Sequence, residues 1–181
     1  MTLSPLANNT YYNCPQTRKT RGEDRFIMNE IEDRLQQLGI ELPAAAAPAA
    51  NYVPTLISGN QLIISGQLPM QNGALAVTGQ LGVELSINEG KEAARLCAIN
   101  ILAQIKRALD GFERVEKLLK LGGFVNAPAS FTDHPQVING ASDLMVEVLG
   151  DAGRHTRFAV GVAGLPFNAA VEIDALVEIK T

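Results

Sequence analysis

Two charged residues in the last quarter of the chain, Arg157 and Glu172, are the strongest candidates for chemistry. Each lies near the start of an apolar run, and we expect the two runs to be strands of one hairpin. Alternate residues of a strand share a face, so the face of Arg157 also carries the small residues Ala159, Gly161 and Ala163. Small neighbours leave space beside a guanidinium, which can hold a carboxylate through two parallel hydrogen bonds. The pattern therefore indicates a site for a small carboxylate ligand.

A purely structural role for the same arginine stays open. Arg157 would then pair with Glu172 or Asp174 across the hairpin and tether the two strands. The second strand presents Glu172, Asp174 and Glu178 on one face, and an acidic row of this kind is usually solvated. Beside a dry cavity, Glu172 would instead act as a general base that orients water. Both faces of these strands are partly apolar, which hints that a second subunit covers the sheet.

Other common catalytic patterns do not occur in the sequence. The two histidines, His134 and His155, belong to no cluster with the spacing of metal ligands. No nucleophile elbow, phosphate-binding glycine loop or dinucleotide fingerprint is found, and Ser65 carries no nucleophile signature of its own. His155 precedes Arg157 by two residues, so on a strand both would face the same way. It either lines the site or is an exposed loop histidine.

The composition predicts one globular domain without the basic surface of a nucleic-acid binder. The chain has 181 residues, of which 46% are hydrophobic and 19% charged, and its net charge is −4. The two cysteines, Cys14 and Cys97, suggest no disulfide framework, which fits a reducing cytoplasm. No stretch approaches the roughly 18 apolar residues of a membrane span, and no signal-peptide pattern opens the chain. We therefore expect a cytoplasmic protein with no membrane or nucleic-acid partner.

The chain divides into three segments. Residues 1–27 show no sustained period and are predicted to be a disordered or non-native tail, with Met28 as an alternative start. Residues 28–54 are predicted to be a short helix, ended by Gly39, followed by a Pro/Ala linker. Residues 55–181 are predicted to be an α+β domain.

Within this domain the expected order of elements is β-β-(β)-α-β-α-β-β. A Gly-Asn pair predicts a hairpin between strands over 55–58 and 61–65, and a third short strand is expected over 75–78. Ser86 and Glu89 form a capping box that opens a helix over 87–109. By its period the run over 115–125 could be a helix or a strand, and a strand is predicted because Gly122-Gly123 would weaken a helix. A helix that starts near 133–135, with proline in its first turn, and ends at 150–153 follows before the last two strands. This order predicts a sheet with both helices on one face.

These residues resemble the reactive-intermediate deaminase (Rid) family, also called the YjgF or L-PSP endoribonuclease family. The resemblance covers most of the chain from Tyr52 onward, depends on the order and spacing of its parts, and points to a longer-chain branch. The matching features are Tyr52, Ile64-Ser65-Gly66-Gln67-Leu68-Pro69, the long helix, Gly123-Phe124-Val125, Asn139, Arg157, Leu165-Pro166 and Val171-Glu172-Ile173.

The resemblance implies a chorismate-mutase-like α+β fold of the bacillary type, with a mixed sheet and two main helices on one face. It implies a homotrimer with clefts between subunits, in which enamine or imine acids such as 2-aminoacrylate are hydrolysed to 2-keto acids and ammonia without a cofactor. By the same resemblance Arg157 binds the substrate carboxylate and Glu172 positions the attacking water. The residues that would line the cleft are Tyr52, Ser65, Gly66 and Asn139.

The sequence differs from the best-studied branch in three respects, one of which is a slightly longer connection from Asn139 to Arg157. That branch has Arg-Ser-Cys where this chain has Arg157-Phe158-Ala159, and Gly-Pro where it has Ala50-Asn51. The identity of the substrate is therefore left open. A non-catalytic trimer that binds a small carboxylate for regulation is an alternative. The older family name suggests a third function, RNA cleavage, which the acidic balance disfavours.

Overall fold

The computed structural model describes residues 30–45 and 51–181. The tail predicted over 1–27 lies outside these residues, as do parts of the predicted 28–54 segment. Among the helices that are described, none is long and apolar enough to cross a membrane.

The first helix, α1, is helical over residues 30–37 and turns its apolar side to the core. Ile31 and Leu35, one turn apart, are buried as their period predicts. Gly39 follows with a φ of 64°, and the N–H of Ile40 reaches back to the carbonyl of Leu35 at 2.8 Å. A glycine in this left-handed conformation is the usual helix stop, so the predicted end of the helix is confirmed.

The strands of the described residues form one large and one small sheet. They are β1 (Thr55–Ser58), β2 (Gln61–Gln67), β3 (Met70–Gln71), β4 (Ala74–Leu75), β5 (Val115–Asn126), β6 (Thr156–Val162) and β7 (Val171–Ile179). The large sheet has the order β1-β2-β7-β5-β6, and the small one pairs β3 with β4. The predicted β1–β2 hairpin is confirmed. The third short strand is β4, which lies earlier than predicted and outside the large sheet.

Two longer helices, α2 (Ile87–Leu109) and α3 (His134–Leu149), pack against each other and against one face of the large sheet. The capping box that opens α2 is present: Ser86 Oγ accepts from the N–H of Glu89, whose carboxylate accepts from the N–H of Ser86. Pro135 lies in the first turn of α3, where its missing N–H costs nothing. The core fills the space between the helices and the sheet.

The last two strands do not form the predicted hairpin. β6 pairs in parallel with β5, and β5 also pairs with β7, so β5 lies between them. The segment β5-α3-β6 is a β-α-β crossover, the connection that parallel neighbours require. Residues 163–170 then carry the chain across two strand spacings of roughly 5 Å each to β7. Eight residues are ample for that span, so a tight turn is not needed.

Two consecutive glycines in β5 leave room for the side chains of other elements, one on each side of the sheet. A Cβ on Gly123 would lie 2.6 Å from Cγ1 of Ile138, on the helix side. On the other side, the space of the missing Gly122 Cβ holds the Asp174 carboxylate and the Phe158 ring. We call this second side, which no helix of the described residues covers, the open face.

Candidate functional site

Arg157 lies on the helix side of the edge strand β6. Its Nη1 donates to Ser142 Oγ at 3.0 Å and its Nη2 to the carbonyl of Pro135 at 3.2 Å, both on α3. Among the described residues it forms no ion pair, so the pairing with Glu172 or Asp174 that the sequence left open does not occur. The arginine is fixed to a helix by neutral groups, and its charge is left without an opposite charge.

The small residues beside Arg157 make room for α3 and not for a ligand. At Gly161 the space of a Cβ holds the ring of His134, the first residue of α3. Ala159 packs against the hydrophobic core. The predicted space below the arginine is therefore filled by the protein's own helix, because the β-α-β crossover places α3 over β6. The guanidinium has more N–H donors than these two contacts to α3 use.

Glu172 lies on the open face of the sheet. Along β7, the residues Val171, Ile173, Ala175, Val177 and Ile179 are buried towards the helices, so Glu172 points the other way. Its carboxylate lies against Gly66 of β2, in the space that a Cβ would need. Partial burial raises the pKa of Glu172, and the negative charge of Asp174 raises it further. A carboxylate with a raised pKa is a stronger base than a solvated one.

Ser65 and Gly66 lie at an irregularity of β2, where the register to β7 shifts between Ile64 and Gln67. Ser65 Oγ donates to the carbonyl of Val53 at 3.0 Å, which ties the start of the sheet to this strand. Tyr52, the residue before Val53, is 53% exposed. Of the predicted site residues, Gly66 lies against the Glu172 carboxylate and Ser65 is its neighbour in β2.

Asn139 belongs to the other end of the sheet. On α3 it lies one turn after Pro135 and one turn before Ser142, the two residues that Arg157 contacts. The helical repeat places it on the same side of α3 as these two. The six predicted residues thus form two groups. The arginine half-site holds Arg157 and Asn139, and the acid half-site holds Tyr52, Ser65, Gly66 and Glu172.

Two residues next to Arg157 were not predicted as site residues. Ser142 accepts from Arg157, and its Oγ lies 3.0 Å from Nε2 of His155. The other ring nitrogen, Nδ1 of His155, lies 2.6 Å from the carbonyl oxygen of Gly153. The histidine is therefore half-buried and bonded on both sides, and is not an exposed loop residue. Because His155 precedes Arg157 by two residues, the sequence indicated that both face the same way. No feature of the sequence indicated that Ser142 contacts Arg157.

The described part of the chain offers no other centre for chemistry. Residues 30–45 and 51–181 contain no group of three or more His, Cys, Asp or Glu side chains that could hold a metal ion. Cys97 is buried in α2, and its burial, with a smaller contribution from Glu172, raises the pKa of its thiol well above the ordinary value. A thiol in that state is a poor nucleophile.

Comparison with known proteins gives consistent matches over most of the chain. A family model described as "YjgF/chorismate mutase-like, putative endoribonuclease" matches residues 32–179. Protein TCP17 from Trypanosoma cruzi is 56% identical over 151 residues, which is 83% of this chain and 94% of the relative. The structure of Atu1372 from Agrobacterium tumefaciens, a protein of unknown function, is 51% identical with a TM-score of 0.82, covering 87% and 98% of the two chains. A "putative endoribonuclease" structure from Shewanella oneidensis is 39% identical with a TM-score of 0.80, covering 83% and 99%.

Proposed function

The chain belongs to the YjgF/chorismate-mutase-like family, the Rid and L-PSP family that its sequence resembles, and from this premise we propose a hydrolytic deaminase. Its substrates are small enamine or imine acids of the 2-aminoacrylate type, and its products are 2-keto acids and ammonia. The protein acts as a cytoplasmic homotrimer, and its active sites lie between copies. The resemblance supplies this reaction and this assembly, and the geometry of the two half-sites supports them.

The observation that carries the proposal is the state of Arg157. Its guanidinium is held on α3 by a hydroxyl and a carbonyl, with no carboxylate paired to it among the described residues. A partly buried positive charge without a counter-charge favours an anionic ligand. The planar fork of a guanidinium suits a carboxylate in particular.

Arg157 and Glu172 have separate tasks in this reaction. Arg157 holds the carboxylate of the substrate while the enamine tautomerises to the imine. A water molecule, oriented by the Glu172 carboxylate, adds its oxygen to the imine carbon and gives a proton to the carboxylate. The imine nitrogen takes this proton from Glu172, which gives a neutral carbinolamine. Glu172 then passes the hydroxyl proton of the carbinolamine to its amino group, the carbon–nitrogen bond breaks, ammonia leaves, and the carbon–oxygen double bond of the 2-keto acid forms. One water is consumed and one ammonia released, with no oxidation or reduction.

The two residues can meet on one ligand only when they come from different copies. Arg157 lies on the helix side of β6, whereas Glu172 lies on the open face, with the sheet between them. The open face also exposes Leu56, Ile63 and Val160, each more than 40% accessible. Apolar side chains grouped on one face of a sheet favour a covering partner. A second copy of this chain would bring its Arg157 towards the acid half-site.

The direct test is keto-acid formation from 2-aminoacrylate that a pyridoxal-phosphate enzyme generates in the assay. Wild-type protein should raise the initial rate above spontaneous hydrolysis, and Arg157→Ala should lose about tenfold to a hundredfold in kcat/KM. Arg154→Ala is the matched control, because this exposed arginine makes only a surface pair with Asp151 and should retain full activity. Equal rates for wild type and Arg157→Ala would refute the deaminase. Carboxylate binding without turnover would favour the regulatory alternative.

A further inference from the structure

A chain of hydrogen bonds runs from the backbone to Arg157 through two side chains. The carbonyl oxygen of Gly153 lies 2.6 Å from Nδ1 of His155, and Nε2 of His155 lies 3.0 Å from Ser142 Oγ. Ser142 Oγ in turn lies 3.0 Å from Nη1 of Arg157. The four groups come from α3, from β6 and from the turn between them.

When the imidazole of His155 is neutral, the donors and acceptors of these three hydrogen bonds can be assigned in only one way. A carbonyl oxygen can only accept, so Nδ1 of His155 carries the hydrogen. Nε2 then has a lone pair and accepts from the Ser142 hydroxyl, which has a single hydrogen to give. Oγ of Ser142 is left to accept from Arg157, which can only donate. Each of these three hydrogen bonds then joins one donor to one acceptor, and the Ser142 hydroxyl cannot rotate without breaking its bond to His155.

The backbone at Gly153, where this series of hydrogen bonds begins, is rigid. Gly153 is buried, and a Cβ on it would meet the Met145 carbonyl of α3, so its backbone is packed directly on the helix. Pro135, at the start of α3, holds the other side of the guanidinium at 3.2 Å. Arg157 is thus fixed between two points of one helix, and the Ser142–His155 chain supplies one of them.

We propose that Ser142 and His155 are positioning residues that hold the Arg157 guanidinium in the orientation that receives the ligand's carboxylate. This role rests on the proposed function for its ligand, but the arrangement of the side chains can be measured without it. Neither residue touches the reacting atoms; both act through Arg157. Preorganisation of this kind lowers the cost of ordering the arginine when the ligand binds.

The kinetic test compares Ser142→Ala, Ser142→Thr and His155→Phe in the deaminase assay. Loss of the hydroxyl or the ring should raise KM about fivefold with kcat nearly unchanged, because a carboxylate contact is made equally in ground and transition states. Ser142→Thr keeps a hydroxyl and should stay close to wild type, and Ser130→Ala, at an exposed serine, is the matched control. A KM for Ser142→Ala equal to wild type would overturn the proposal.

A second set of variants separates positioning from a general loss of structure. In an Arg157→Ala background, Ser142→Ala should cause no further loss in kcat/KM, because the group that it positions is gone. A further loss of about fivefold in that background would show that Ser142 acts on something other than Arg157. Thermal unfolding of each variant identifies any loss that comes from instability.

A third measurement does not depend on turnover. The chain has only two histidines, so nitrogen NMR of labelled imidazoles can assign His155 by comparison with His155→Phe. We expect hydrogen on Nδ1 and none on Nε2, together with severalfold faster solvent exchange of the Arg157 Nη1 hydrogens, which donate to Ser142, in Ser142→Ala. The opposite tautomer, or unchanged exchange, would refute the positioning role. An inactive wild type that shows the expected tautomer and exchange would refute the deaminase alone.

Discussion

Arg157 and Glu172 lie on opposite sides of one sheet, on two strands that β5 keeps apart. In the proposed reaction each has a task that needs the other. The arginine has no counter-charge among the described residues, and the pKa of the glutamate is raised by partial burial and by Asp174. Neither can reach across the sheet, so a shared ligand requires two copies of the chain.

This geometry predicts complementation between two inactive variants. Arg157→Ala and Glu172→Gln should each be nearly inactive alone. In a ring of three copies mixed at random from equal amounts, about a quarter of the sites combine an intact arginine from one copy with an intact glutamate from the next. Mixed trimers, obtained by co-expression, should therefore recover about a quarter of the wild-type rate.

The double variant supplies the control for this experiment. Co-expression of wild type with Arg157→Ala/Glu172→Gln gives trimers with the same average content of each residue. If both residues served a site within one chain, the mixed single variants would show no recovery, and the double-variant mixture would keep about half of the wild-type rate.

A substitution at Gly66 should displace the Glu172 carboxylate without unfolding the protein. A Cβ at this position would occupy the space of the Glu172 side chain, whose flexible end can move away. We therefore expect Gly66→Ala to cost about 1 kcal/mol in the free energy of unfolding, at the low end for an added carbon, and to lower kcat/KM about tenfold or more. Gly164→Ala, where nothing lies within 4 Å of the added Cβ, is the matched control. Full activity in Gly66→Ala would contradict the assigned position of the base.

The open-face carboxylates predict a specific dependence of stability on pH. The pKa values of Glu172 and Asp174 are raised by partial burial from ordinary values of 4.5 and 3.8, so the folded state binds their protons more tightly than the unfolded state. Their contribution is complete below the ordinary values and is lost as pH rises through the raised ones. The free energy of unfolding should therefore fall less in Glu172→Gln than in wild type as pH rises above about 4.

Denaturant unfolding at several pH values measures this difference. Glu147→Gln, on the exposed side of α3, is a suitable control because it removes a carboxylate that is not part of the open face. If the free energy of unfolding depends on pH equally in Glu172→Gln and in wild type, the glutamate is solvated in the assembled protein.

The start of α2 predicts a stability effect that is independent of the site. Ser86 Oγ accepts from the N–H of Glu89 and donates to its carboxylate at 2.7 Å. Ser86→Ala should lower the free energy of unfolding by about 1 kcal/mol, measured by urea denaturation, with the exposed Ser130→Ala near zero. Deaminase activity per folded protein should not change.

Local signals in the sequence predicted the elements well. The capping box at Ser86 and the proline in the first turn of α3 each mark a boundary by satisfying or removing a backbone donor. Gly39 does the same for the end of α1. Such signals depend on residues within one turn of each other, so they need no knowledge of the rest of the fold.

Pairing between distant strands could not be obtained in the same way. Nothing near Arg157 in the sequence shows that β5, more than thirty residues earlier, pairs with its strand. A hairpin was therefore predicted, and the small residues Ala159 and Gly161 were interpreted as ligand space when they accommodate α3. The charge and strand pattern pointed to Arg157 and Glu172, and the resemblance added four further candidates, but only the three-dimensional arrangement separates the six into two half-sites.

The glycine pair in β5 has a consequence for how the sequence can change. Neither Gly122 nor Gly123 has a side chain, so β5 has a gap on each side of the sheet. Ile138 of α3 fills the gap at Gly123, and side chains of β6 and β7 fill the gap at Gly122. An alanine at Gly123 would require Ile138 to shrink, whereas an alanine at Gly122 would require Phe158 and Asp174 to move. Mutational tolerance should therefore be low here, and a substitution at either glycine should survive in a selection experiment only with a second change among the side chains that fill its own gap.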